Sequence, residues 1–322
     1  MSDHFIKEIE IKNFKCFNDF KAEGFGRVNL IGGKNNVGKT AFMEAIYVNV
    51  SSHNIEALYS SIFFNSFIRK RLEYISKAIT MEDKKKFLEK INFYSSISNI
   101  RLCKFEVSNK DGEKSYNFLI DSDEKIVNIN SFSYDLMLIK DIEFLYSQGV
   151  SNNKLKRFYE VVQIKDKEEV LFTYINEFDS NILNFKIIGG DKPQCKIEEG
   201  IYRDIDEFGD GLKHYISIIC SLYACENGYL FIDEIDNGIH YTQLDKLWEI
   251  ILTISKEQNV QVFATTHSKE CIESYARMTK KLKDRNITYS IITKLRSGKL
   301  HHSLYDYELL ENAIIKHENE VR

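Results

Sequence analysis

Gly33-Lys34-Asn35-Asn36-Val37-Gly38-Lys39-Thr40, followed by Ala41, is the stretch whose reading decides the fold. It fits G-x-x-x-x-G-K-[ST] and lies between the apolar run Val28-Asn29-Leu30-Ile31 and a helix predicted from about Thr40 to Val50. Glycines let such a loop curl so that backbone N–H groups and the helix N-terminus point at phosphate oxygens. Lys39 can then reach the β- and γ-phosphates of a nucleotide, and Thr40 can ligate Mg²⁺. The bland alternative is a glycine turn before an ordinary helix. The strand before and the helix after favour phosphate binding, with Gly33, Asn35, Asn36, Gly38, Lys39, Thr40 and Ala41 as its candidate residues.

Working outward, Tyr229-Leu230-Phe231-Ile232 reads as a buried strand that ends in Asp233 and Glu234. Both carboxylates therefore emerge at the C-terminal edge of the sheet, where ligands bind in folds of this kind. Asp233 is the candidate magnesium ligand alongside Thr40, and Glu234 the group that polarises an attacking water. Two acids after a strand are also a common solvated turn; the phosphate loop gives them a role. A second strand, Val260 to Ala264, runs into Thr265-Thr266-His267-Ser268 and predicts His267 at the same edge, donating to the γ-phosphate or orienting the water. His301 and His302 have no such context. Phe208-Gly209-Asp210-Gly211-Leu212 opens an apolar helix over 212–226, and on its own it is a helix-entry turn capped by Asp210.

The rest of the chain reads as short strands over 5–31, two helices over 51–95, a β-hairpin over 98–120, and a mixed stretch over 121–200. An amphipathic helix is predicted around 241–256. Strands alternating with helices, and apolar runs rather than alternation in the last two strands, predict an α/β fold with a mainly parallel sheet flanked by helices. It carries an antiparallel β portion and a helical insertion. The expected division is a head formed by 1–50 and 96–322, with 51–95 inserted.

Composition fits one large or two ordinary domains: 322 residues, 43% hydrophobic and 29% charged. With 44 basic against 48 acidic residues the net charge is −4, so no global basic field draws the chain to nucleic acid. The longest apolar stretch, Tyr215 to Cys225, falls far short of the roughly 20 residues of a membrane span. The start MSDHFIKEIE lacks a signal-peptide core, so a cytoplasmic protein is expected. Six scattered cysteines with no C-x-x-C indicate reduced thiols rather than zinc or disulfides.

The order of phosphate loop, long insertion, glycine turn with helix, acidic strand end, then strand and histidine resembles the ATP-binding heads of ABC-type ATPases. The SMC, RecF and OLD group of AAA-family ATPases is the most similar. Ile11-Lys12-Asn13-Phe14-Lys15-Cys16-Phe17 looks like that group's N-F-[RK]-x-F, and Asp233 to His240 looks like its D-E-x-E-N-G-L-H. Ala264 to Ser268 is close to its A-T-T-H-S form. The likeness covers residues 1–50 and about 200–322. It implies a homodimer that sandwiches two ATP molecules. Gly209 and Gly211 would close in trans on the partner's γ-phosphate, Asp236 would lie on the loop crossing the interface, and Lys15 would approach the nucleotide. The sequence departs from the ABC form in lacking LSGGQ, with Asp210 between the glycines.

Two helices in the insertion could reach only about 30 Å, far short of an SMC arm. The 55 residues after His267 show no acidic cluster at a strand end, so the resemblance points to a member without a fused TOPRIM domain. Such a member works with a separately encoded effector, a TOPRIM-like nuclease among the candidates, in prokaryotic defence or DNA repair. The leading expectation is thus a Mg²⁺-dependent ATPase controlling a partner. An ATP-gated binding module with little turnover is the alternative, and a phosphotransferase or GTPase is disfavoured by the strand-end acids with A-T-T-H-S. DNA binding stays open on three basic groups: Arg69 to Arg71, Lys84 to Lys86, and Lys280 to Arg285.

Overall fold

The computed structural model describes residues 4–68, 95–98, 102–110, 113–128, 139–147, 149–197 and 200–316. Its strands are β1 (Glu8–Phe14), β2 (Phe17–Glu23), β3 (Val28–Gly32), β4 (Ser95–Ser98) and β5 (Leu102–Lys110). They continue as β6 (Glu113–Ile120), β7 (Asp123–Asn128), β8 (Ile142–Leu145), β9 (Ile182–Ile188) and β10 (Lys192–Ile197). The last five are β11 (Tyr202–Asp204), β12 (Tyr229–Ile232), β13 (Gln261–Thr265), β14 (Ile287–Lys294) and β15 (Leu300–Tyr305). The main helices are α1 (Lys39–Ser51), α2 (Ile55–Ile68), α3 (Asn152–Ile164), α4 (Glu168–Phe178), α5 (Asp210–Ala224), α6 (Leu244–Glu257) and α7 (Lys269–Leu282).

The central sheet has the order β15-β14-β3-β13-β12-β8. Every pairing in it is parallel except β14 with β15. Its inner strands β3, β13 and β12 are buried on both faces, so their side chains alternate between two cores rather than between core and water. Leu230, Ile232, Val262, Ala264, Val28 and Leu30 join the core beneath α5, α6 and α7. Phe231, Phe263 and Ile31 point the other way, onto α1, α2 and a second, antiparallel sheet of order β2-β1-β4-β5-β6-β7. The helix α1 lies between the two sheets, which is why nearly all its residues are buried, the polar Glu44, Asn49 and Ser51 among them. By contrast α6 and α7 have one apolar stripe each, carrying Trp248 and Tyr275 inward, with charge outside.

Among the described residues the predicted strands, hairpin and helices recur with ends shifted by up to four residues. Of the two helices expected in the insertion, α2 packs Leu58, Tyr59, Ile62 and Phe63 into the core shared with α1. The second lies outside the described residues. The mixed stretch over 121–200 holds β7, a parallel edge strand β8, two helices, and β9 and β10, which form a small antiparallel sheet with β11 just beyond it. Its four-residue edge strand was too short to show a period. Among the described residues no helix is long and apolar enough to cross a membrane.

Candidate nucleotide site

Parallel pairing brings the C-terminal ends of β3, β13 and β12 to one edge, and each strand hands its last residues to a loop there. The loop after β3 is seated tightly. A Cβ on Gly33 (φ +129°) would lie 2.6 Å from the carbonyl oxygen of Ile292. One on Gly38 (φ +97°) would lie 2.5 Å from Sγ of Cys16, in the β1–β2 turn. Both positions demand glycine for conformation as well as space. Gly38 is the N-cap of α1 and no side chain caps that turn, so the helix's first amides are left for an anion.

This helix end opens on a cavity of about 580 Å³ lined by Asn35, Asn36, Gly38, Lys39, Thr40, Ala41, Asp233, Glu234 and His267. In it, Lys39 Nζ donates to the carbonyls of Gly33 (2.9 Å) and Lys34 (3.1 Å) and lies 3.1 Å from His267 Nδ1. Burial pulls the Lys39 ammonium down to about 8, against the opposing pull of Asp233 and Glu234. It is still charged at neutral pH, so Nδ1 of His267 accepts and the ring proton sits on Nε2. Nε2 is 3.8 Å from Glu234 Oε1. Histidine thus stands between the lysine and the acid.

Thr40 Oγ1 lies 2.9 and 3.1 Å from the two carboxylate oxygens of Asp233, to which it donates. A hydroxyl and a carboxylate held this close form a hard-oxygen pair of the kind that suits Mg²⁺. No cluster of three or more His, Cys, Asp or Glu able to cage a metal occurs among the described residues. Glu234 occupies a left-handed conformation (φ +54°), which non-glycine residues hold only under constraint.

The remaining candidates sit outside the cavity lining. Gly33 contributes its carbonyl to Lys39. Lys15, at the β1–β2 turn, pairs with the buried carboxylate of Glu44 one helical turn beyond Thr40. Asp236 accepts from Thr266 Oγ1 (2.6 Å). Gly209 is exposed with open space around it, whereas Gly211 is buried against Gly238, whose carbonyl oxygen would be 1.9 Å from any added Cβ. Of the basic groups, Lys280 and Lys281 pair with Glu311 and Glu249, and Arg285 is 3.9 Å from Glu308. Arg69 to Arg71 and Lys84 to Lys86 lie outside the described residues. Sequence reading passed over Thr265 and Thr266, whose hydroxyls hold the acids; two threonines at a strand end beside an acidic neighbouring strand were the available signal.

A parallel sheet with this loop, these strand-end acids and this histidine defines an ABC-type, SMC-like P-loop ATPase head. The chain belongs to the AAA domain family described as "AAA domain, putative AbiEii toxin, Type IV TA system", which matches residues 28–273. It is 26% identical over 330 residues to an ATP/GTP phosphatase of Helicobacter pylori, covering 83% of this chain and 86% of that one. A 65-residue stretch is 37% identical to the uncharacterized protein MJECL11 of Methanocaldococcus jannaschii, covering 20% of this chain and 57% of that one. The fold is similar to an SMC head crystallised with the C-terminal winged-helix domain of ScpA: TM-score 0.51, 12% identity, 94% of this chain and 98% of that one.

Proposed function

We propose that this chain is a Mg²⁺-dependent ATPase that closes head-to-head around ATP and thereby controls a separately encoded effector. The observation that carries the hydrolytic half is the convergence of Lys39, Thr40, Asp233, Glu234 and His267 on one cavity at the strand ends. The H. pylori relative's designation as an ATP/GTP phosphatase supports the same half. The SMC head of similar fold, bound to a domain of ScpA, supports a protein partner for this chain.

Lys39 exchanges the loop carbonyls for the β- and γ-phosphates, an exchange its desolvated ammonium favours. Thr40 and Asp233 would hold Mg²⁺, which would neutralise charge on the phosphates when bound. Glu234 accepts a hydrogen bond from the attacking water and aligns it, while His267 donates from Nε2 toward the γ-phosphate. Exposed Gly209 and Asp210 at the start of α5 offer the surface on which a second copy closes. Glu234→Gln, isosteric but uncharged, should bind ATP with near wild-type affinity and turn it over at least about 10²-fold more slowly. Unchanged turnover would remove Glu234 from this role, and negligible wild-type turnover would convert the enzyme into an ATP-gated binding module.

A further inference from the structure

We propose that Thr265 is a positioning residue: its hydroxyl holds the backbone of Glu234 and the carboxylate of Asp233 in the arrangement that hydrolysis uses. The inference rests on the hydrolytic reading above. It starts from register. In the parallel pair β12–β13, Ile232 stands opposite Ala264, so Asp233, the first residue after β12, lies beside Thr265, the last residue of β13. Thr265 is wholly buried, and a hydroxyl without water must find partners in the protein.

It finds one from each acid. Thr265 Oγ1 donates to Asp233 Oδ1 at 2.8 Å and accepts the backbone N–H of Glu234 at 2.9 Å. The Thr265 carbonyl also receives the N–H of Ile235 at 2.9 Å. One residue therefore grips three consecutive positions of the acidic turn, including the residue held at φ +54°. Asp233 has a second hydroxyl donor, Thr40, but Thr40 is the group assigned to the metal. Once Thr40 turns to that task, Thr265 is the donor that keeps Asp233 in place. A hydroxyl at this position thus serves geometry rather than contact with substrate.

Thr265→Val keeps the shape and the β-branch but removes both side-chain hydrogen bonds; Thr265→Ser keeps the hydroxyl. We expect Thr265→Val to lower kcat by tenfold or more with KM within threefold. Backbone amide exchange at Glu234 in the nucleotide-free protein should accelerate about tenfold, and Thr265→Ser should restore both. Thr265→Ala tests the same loss should valine disturb folding, judged by the melting curve. Wild-type kcat together with unchanged Glu234 exchange in Thr265→Val would overturn the proposal, as would a well-folded Thr265→Ser that fails to restore either. A wild-type protein without turnover would remove the hydrolytic reading instead, and the exchange measurement would still decide whether Thr265 holds the turn.

Discussion

Replacing Gly211 with alanine places a Cβ 1.9 Å from the carbonyl oxygen of Gly238, backbone against backbone, with no flexible side chain to yield. Retreat to even a 3.0 Å contact moves the first turn of α5 and the loop after Glu234 apart by about 1.1 Å. Alanine's better helix propensity returns at most about 1 kcal/mol, whereas overpacking of this kind costs about 1–3 kcal/mol. A backbone-on-backbone clash belongs at the upper end of that range, so the clash outweighs the gain and the net loss reaches about 2 kcal/mol. The same displacement pulls on the His214 ring, which is 3.2 Å from the Ile235 carbonyl oxygen, and so on the residue beside Glu234. A shift of about 1 Å at a reacting group costs about 10²-fold in rate. The phosphate loop is untouched. Urea unfolding should therefore show the stability loss, and ATPase assays a kcat reduced by about ten- to hundredfold with calorimetric ATP affinity unchanged. Wild-type stability and turnover in Gly211→Ala would refute the coupling of this turn to the acidic loop.

His302 lies among Phe20, Phe25 and Phe42, and burial, helped by repulsion from His301 and opposed by Glu23, lowers its imidazole from 6.5 to about 4. The unfolded state then binds the extra proton first, so stability present above about pH 6.5 is lost as pH falls toward 4. Relative to His302→Gln, the wild type should lose about 2 kcal/mol of unfolding free energy between pH 7.5 and 5, and a constant difference would contradict this. Arg27 is buried, donating to Leu252 O (3.1 Å) and Ser255 Oγ (2.6 Å) and pairing with Asp284. Arg27→Met leaves Asp284 without its partner and should cost about 3–5 kcal/mol in a urea titration; a loss under 1 kcal/mol would show the pair to be dispensable.

Much of this was legible because the informative residues sit at strand ends. Val28 to Ile31, Tyr229 to Ile232 and Val260 to Ala264 announce buried parallel strands by their apolar runs, and the residues after each strand must emerge at one edge. The site residues Lys39, Asp233, Glu234 and His267 came from that logic. Edge strand β8 and the small sheet β9–β11 did not, since three to seven residues with one partly wet face give no decisive period. Thr265 escaped for a different reason: its role depends on which strand lies beside β12, a fact of topology that local pattern does not carry. Gly211 likewise looked like half of a glycine signature, whereas its burial against Gly238 is a contact between segments 27 residues apart.

The central claim is that a triphosphate sits on the loop at 33–40 with its metal at Thr40 and Asp233, and calorimetric titration of ATP with Mg²⁺ into Glu234→Gln tests it most directly. We expect saturable binding of one nucleotide per chain that is lost in the Lys39→Ala, Glu234→Gln double variant and weakened when Mg²⁺ is withheld. Heat that is absent in the first protein, or the same in both, would contradict the claim.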